Sequence, residues 1–144
     1  MTTIQKFEDL RCWKSARELV KMVYEITNEG SFQRDFGLRD QIRRAAISVM
    51  SNIAEGFGSG SDSEFVRFLG YSRRSISETQ SQLYTALDIN YLTQEQFEAI
   101  YTKANETERQ VNAFIGYLAK SKRNSIRDAE TPYVIEHPDD LSDL

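Results

Sequence analysis

Side chains that commonly carry covalent or metal chemistry are nearly absent here: Cys12 is the only cysteine and His137 the only histidine. A lone cysteine allows no intrachain disulfide and offers no partner for a cysteine-based zinc site. Together the two counts remove Ser-His-Asp, Cys-His and histidine-rich metal chemistry from a single chain. A carboxylate-held magnesium is the remaining metal option, yet the acids are scattered rather than grouped in a DxD-like pattern. No enzyme activity, cofactor or metal site is expected. What the chain does concentrate is arginine: Arg39, Arg43, Arg44, Arg67, Arg73 and Arg74 fall in two stretches. A guanidinium bridges phosphate oxygens in two-point geometry, so this is chemistry for RNA or DNA, and such binding falls steeply with salt. The competing use of each arginine is a salt bridge to another helix or subunit.

The glycine cluster Gly56-Phe57-Gly58-Ser59-Gly60-Ser61 could suggest a phosphate loop. Its spacing is G-x-G-x-G and a helix precedes it, where a dinucleotide fingerprint needs a strand. It reads instead as a turn, with Gly56 and Gly58 suited to a left-handed helix exit. Ser61-Asp62-Ser63-Glu64 then forms a capping box that starts the next helix, and Asp62 and Glu64 oppose an anion there.

These residues ride on four amphipathic segments. The central one, Leu38 to Phe57, is proline-free, and its apolar residues cover an arc of roughly 200°, about twice what a surface helix needs. It should touch protein on two sides, its own bundle and a second surface such as another subunit. Ile47, Met50, Asn52, Ala54 and Glu55 are the candidate oligomer or inter-helix contacts. Arg43 lies inside the apolar arc, where a buried guanidinium needs a carboxylate, with Glu55 and Glu78 as plausible partners. Arg44 is more open.

A first helix is expected from about Leu10 to Thr27, with Trp13 and Cys12 on its core stripe. Asn28 to Gly37 reads as a polar connector whose Phe32 and Phe36 cap one end of the core. The third helix, about Ser63 to Ile89, carries Ser72 and Thr79 in its seam, small enough for close helix approach. Thr93-Gln94-Glu95-Gln96 is a second capping box, and the fourth helix runs from about Gln94 to Lys122. Links this short force antiparallel neighbours, so the expected fold is all-α, an up-down-up-down four-helix bundle with no strand. It divides into a lead-in at 1–9, the bundle at 10–123 and an acidic, disordered tail at 124–144.

Charge divides the chain at nearly the same place. All 18 Lys and Arg and 16 of the 22 Asp and Glu lie in residues 1–127; residues 128–144 hold the other six acids and no base. The body is mildly basic although the formal net charge is −4. No apolar run approaches the ~18 residues of a membrane span, and the start lacks signal-peptide order, which makes a cytoplasmic protein the default.

Several spaced motifs now combine. Phe7-Glu8-Asp9-Leu10 with Trp13 and Ala16 is followed by Gly37-Leu38, then Gln41-Ile42-Arg43-Arg44-Ala45 with Ser48. Asn52-Ile53-Ala54-Glu55-Gly56, Glu64-Phe65 with Phe68-Leu69, and Ser75-Ile76 with Glu78 complete the pattern. Over roughly residues 7–120 the chain resembles a bacterial four-helix-bundle family, some of whose members are encoded by intervening sequences in large-subunit ribosomal RNA genes. The resemblance implies a bundle that assembles as a ring-like homopentamer. It also extends to the accessory variability determinant of diversity-generating retroelements, which works with a reverse transcriptase and RNA through basic surfaces. Gln33, Ser59 and Arg74 depart from the family pattern; Ser59 stands where an arginine often follows the glycine turn, and Arg74 returns charge nearby.

The expected function is a non-enzymatic oligomeric adaptor that contacts structured RNA, with Arg44, Arg67, Arg73 and Arg74 as the candidate contacts. The alternative is a protein-binding scaffold without nucleic acid, which the pI of about 5.1 favours.

Overall fold

The computed structural model describes residues 2–120 and 133–135. Four long helices, α1 (Arg11–Thr27), α3 (Phe36–Phe57), α4 (Asp62–Asp88) and α5 (Gln94–Lys120), are joined by short links, and a brief α2 (Gly30–Arg34) sits in the first of them. The main packing pairs are α1 with α3, α3 with α4, α4 with α5 and α5 with α1, a closed ring of four helices. Ser48 meets Ser75 and Gln41 meets Gln82, so α4 ascends as α3 descends. Phe32, Ile42, Ile53, Phe65, Leu69, Ile76, Leu83, Ile100 and Phe114 are fully buried between the helices. Each such side chain contributes on the order of 1.5–3 kcal/mol of hydrophobic stabilisation. Trp13 and Cys12 lie in this core, and burial pushes the Cys12 thiol up to about 12.

Local chemistry sets the helix ends. The Asp9 carboxylate accepts from the Gln5 and Lys6 amides at 3.0 and 3.2 Å, closing a 3-10 turn at Phe7–Asp9 that sets the Phe7 ring edge-on to Trp13 at 5.1 Å. These backbone donors, the Gln5 amide first, hold the Asp9 carboxyl below its usual range. The Ser61 hydroxyl caps α4 by accepting from the Glu64 amide at 3.1 Å. Thr93 and Gln96 form a complete reciprocal box at the start of α5, with bonds of 3.1 and 2.9 Å. At the end of α4, Asn90 takes the left-handed conformation, φ 63°, while the Tyr91 amide reaches back to the Ala86 carbonyl at 2.8 Å. That is a Schellman motif.

Four expectations are corrected. Gly56 is not an exit residue: α3 continues through Phe57, and Gly56 lets Phe65 and Phe68 of α4 approach so closely that a Cβ there would lie 2.8 Å from each. Gly58 has φ −83°, and the left-handed turn residue is Gly60, φ +85°. Phe32 caps the core, but Phe36 is 64 % exposed at the first turn of α3, where Arg39 stacks on it at 4.7 Å. The strand-free expectation also fails, because β1 (Thr2–Ile4) pairs antiparallel with β2 (Tyr133–Ile135), Thr3 opposite Val134. Backbone donors at 2–4 belong to no helix and need partners, and Tyr-Val-Ile suits a strand. The remainder of the 124–144 tail, His137, and the expected helix end at Lys122 lie outside the described residues.

Candidate nucleic-acid interface

The solvent face of α4 brings three of the four candidate arginines together. Arg67, Arg73 and Arg74, with Val66, Gly70, Tyr71 and Ser77, line an open depression of about 540 Å³. Helical spacing is the reason: residues 67, 70, 71, 74 and 77 recur at i+3 and i+4 and stack along one face. Arg67 Nε donates to the Tyr71 hydroxyl at 2.7 Å, and its Nη1 reaches Glu64 at 3.4 Å. Tyr71, then Glu64, raises the Arg67 pKa, and a guanidinium is in any case charged at working pH. Arg67 and Arg74 both stand over the Tyr71 ring, at 5.6 and 5.7 Å from its centroid. Arg73 donates through Nη1 to Asn112 of α5 at 3.0 Å, which leaves its remaining donors for solvent or a ligand.

Gly70 forms the open part of this surface. A Cβ at that position would meet nothing within 4 Å, so no packing contact requires glycine. Glycine inside a helix costs roughly 0.5–1 kcal/mol relative to alanine. Gly70, Tyr71 and Ser77 were not among the sequence candidates. The signal available was Tyr71 on the polar face at i+4 from Arg67 and i−3 from Arg74.

Arg44 is exposed on α3 and does not line the depression. Arg43 is an inter-helix contact of another kind than expected. Instead of a carboxylate it finds neutral oxygens, donating to Thr27 Oγ1 and Asn28 Oδ1, each at 2.8 Å, with its guanidinium 4.5 Å from the centre of the Tyr24 ring. Half-exposure and the negative end of the α1 dipole make a carboxylate unnecessary.

The remaining α3 candidates divide by face. Asn52 donates to the carbonyl and hydroxyl of Ser48, and Ser48 accepts from Ser75 of α4 at 2.9 Å. One turn on, Ser72 donates to the Val49 carbonyl at 2.7 Å, so the α3–α4 seam is polar as well as tight. Ile47 is 39 % exposed, Met50 and Ala54 are half-buried at the edge of the core, and Glu55 is exposed, so one apolar side of α3 is only partly covered by its own bundle. Among the described residues no group of three His, Cys, Asp or Glu side chains is placed to hold a metal ion. No described helix is long and apolar enough to cross a membrane.

The 23S rRNA-intervening sequence protein model matches residues 8–113. Among solved structures, the chain is similar to a protein of unknown function from the S23 ribosomal protein family of Bacteroides thetaiotaomicron, with 26% identity and a TM-score of 0.62 over 72% of this chain and 94% of that one. No curated protein matches it. A helical bundle with the FEDL, AEG and arginine motifs at their observed positions, matched over most of its length, belongs to the 23S rRNA-intervening sequence protein family.

Proposed function

We propose that the protein is a non-enzymatic, self-associating helical adaptor that contacts structured RNA, acting in the cytoplasm without a cofactor. The observation that carries this reading is the meeting of Arg67, Arg73 and Arg74 around one open depression on α4, with Arg44 adding charge on α3. Permanent, fork-shaped cations on an otherwise balanced body suit a phosphate backbone. The family name carries the 23S rRNA intervening sequence, which makes structured RNA the first nucleic acid to test. Self-association is supported by the partly exposed Ile47–Met50–Ala54 side of α3, and the family resemblance makes a homopentameric ring the expected assembly.

The test is the salt dependence of binding to a structured RNA and a matched DNA duplex, using full-length protein of known oligomeric mass. The expected result is affinity that falls linearly on a log–log salt plot. It should be lost when Arg44, Arg73 and Arg74 are changed to Glu. A protein-binding scaffold is the second reading, favoured by the net charge of −4. Absence of binding at low salt by an intact oligomer would select it.

A further inference from the structure

Phosphate contact alone would not explain the aromatic ring at the centre of the arginine cluster. Tyr71 is half-buried on the solvent side of α4, its ring held edge-to-face by Phe68 at 5.8 Å. Arg67 holds the Tyr71 hydroxyl at 2.7 Å, which fixes the ring in place. Beside it Gly70 leaves the surface open, and the depression of about 540 Å³ is a shallow one lined by α4 alone, suited to a flat group laid on its surface. A duplex keeps its bases stacked inside and offers phosphates, which an aromatic ring does not recognise. An unpaired nucleotide offers both a phosphate and a free base face, and proteins recognise it with an aromatic platform flanked by cations.

We propose that the Gly70–Tyr71 depression takes an unpaired RNA nucleotide, the base stacked on Tyr71 and the flanking phosphates held by Arg73 and Arg74. This rests on the RNA-contact reading and narrows it from structured RNA in general to a single-stranded loop or end. Displacement of the Arg74 guanidinium from the ring opens the stacking face while Arg67 keeps its bond to the hydroxyl, and Arg74 remains close enough to pair with a neighbouring phosphate.

The experiment compares full-length wild-type protein with Tyr71→Ala, Tyr71→Phe, Gly70→Val and a paired Arg73→Ala, Arg74→Ala variant. Fluorescence anisotropy is read on a mixed-sequence single-stranded RNA and on a blunt RNA duplex of equal length at matched salt. Tyr71→Ala should weaken single-strand binding about tenfold, within the range for loss of one stacked base. It should leave duplex binding and the salt slope unchanged. Tyr71→Phe, which keeps the ring and loses the hydroxyl, should retain most single-strand affinity, and Gly70→Val should lower it by filling the depression. The arginine pair should weaken both ligands. Equal effects of Tyr71→Ala on the two RNAs, or none on either, with both still weakened by the arginine pair, would overturn the stacking site and leave the phosphate reading standing. No binding of either RNA by wild-type protein at low salt would overturn both.

Discussion

Tyr91 donates its phenol to Asp35 Oδ2 at 2.9 Å while the other oxygen of the same carboxylate accepts from the Leu38 amide at 3.1 Å. One side chain thus caps α3 and ties the α2–α3 junction to the α4–α5 link. The Tyr91 ring also packs on the buried Phe32, centroids 5.1 Å apart. The left-handed Asn90 is what turns Tyr91 towards this site.

Asp35→Ala removes both contacts and should destabilise the protein by about 0.5–2 kcal/mol, the usual cost of losing an N-cap. Tyr91→Phe leaves the cap in place and should cost less. The hydrogen bond to Asp35 raises the Tyr91 pKa above its ordinary value of 10.0. Its stabilisation is therefore complete below that value and lost as pH rises through the folded pKa. Urea midpoints for the two variants from pH 7 to pH 11 check both points: the gap between wild type and Tyr91→Phe should narrow only at the alkaline end.

Two glycines on facing helices should respond in opposite directions to alanine. At Gly56 the new methyl lies 2.8 Å from Phe65 Cδ1 and Phe68 Cβ, so α3 and α4 must separate. A loss of about 1–3 kcal/mol follows. At Gly70 the methyl enters open space, and removal of the helix-glycine penalty should stabilise by about 0.5–1 kcal/mol. Thermal melts of both variants test the pair, and destabilisation by Gly70→Ala would contradict the open geometry.

Lys103 joins α5 to α1 through Glu18 at 2.8 Å and pairs with Glu106 on its own helix at 2.8 Å. The hydrogen bonds to Glu106 and then Glu18 raise its pKa above 10.5. A raised lysine pKa stabilises fully below the unfolded value and stops doing so as pH climbs through the folded one. Lys103→Met should lower stability at pH 7 by no more than about 1 kcal/mol, since Glu18 is largely exposed. The difference from wild type should vanish as pH passes well above 10.5. Chemical denaturation at pH 7 and at alkaline pH reads this directly.

Ile47→Glu places a charge on the partly exposed apolar side of α3. Because Ile47 is 39 % exposed in the single chain, the helices should remain intact, with stability changed by no more than about 0.5 kcal/mol. If that side is the subunit contact, mass measurement by light scattering should show dissociation at unchanged helical circular dichroism. An unchanged mass would move the contact elsewhere.

The amino-acid order by itself determined the four long helices, because their signals are local, whereas the five-residue α2 lies in the stretch Asn28 to Gly37 that reads as a connector. Apolar residues at helical spacing selected the buried face of α1, α4 and α5, and Ser61 and Thr93 marked two helix starts within a residue or two. The family was legible for the same reason, in motifs whose members lie within a turn or two of one another, such as Phe7-Glu8-Asp9-Leu10. Only the tertiary structure decided what depends on register between segments far apart in the chain. Gly56 reads as a turn residue until α4 is laid against it, and Arg43 calls for an acid until the end of α1 supplies Thr27, Asn28 and Tyr24. The pairing of residues 2–4 with 133–135 joins two ends whose short runs carry no periodic signal of their own. Tyr71 lies between these cases: its face on α4 follows from helical spacing, but the open space over Gly70 exists only because neither α3 nor α5 covers that side.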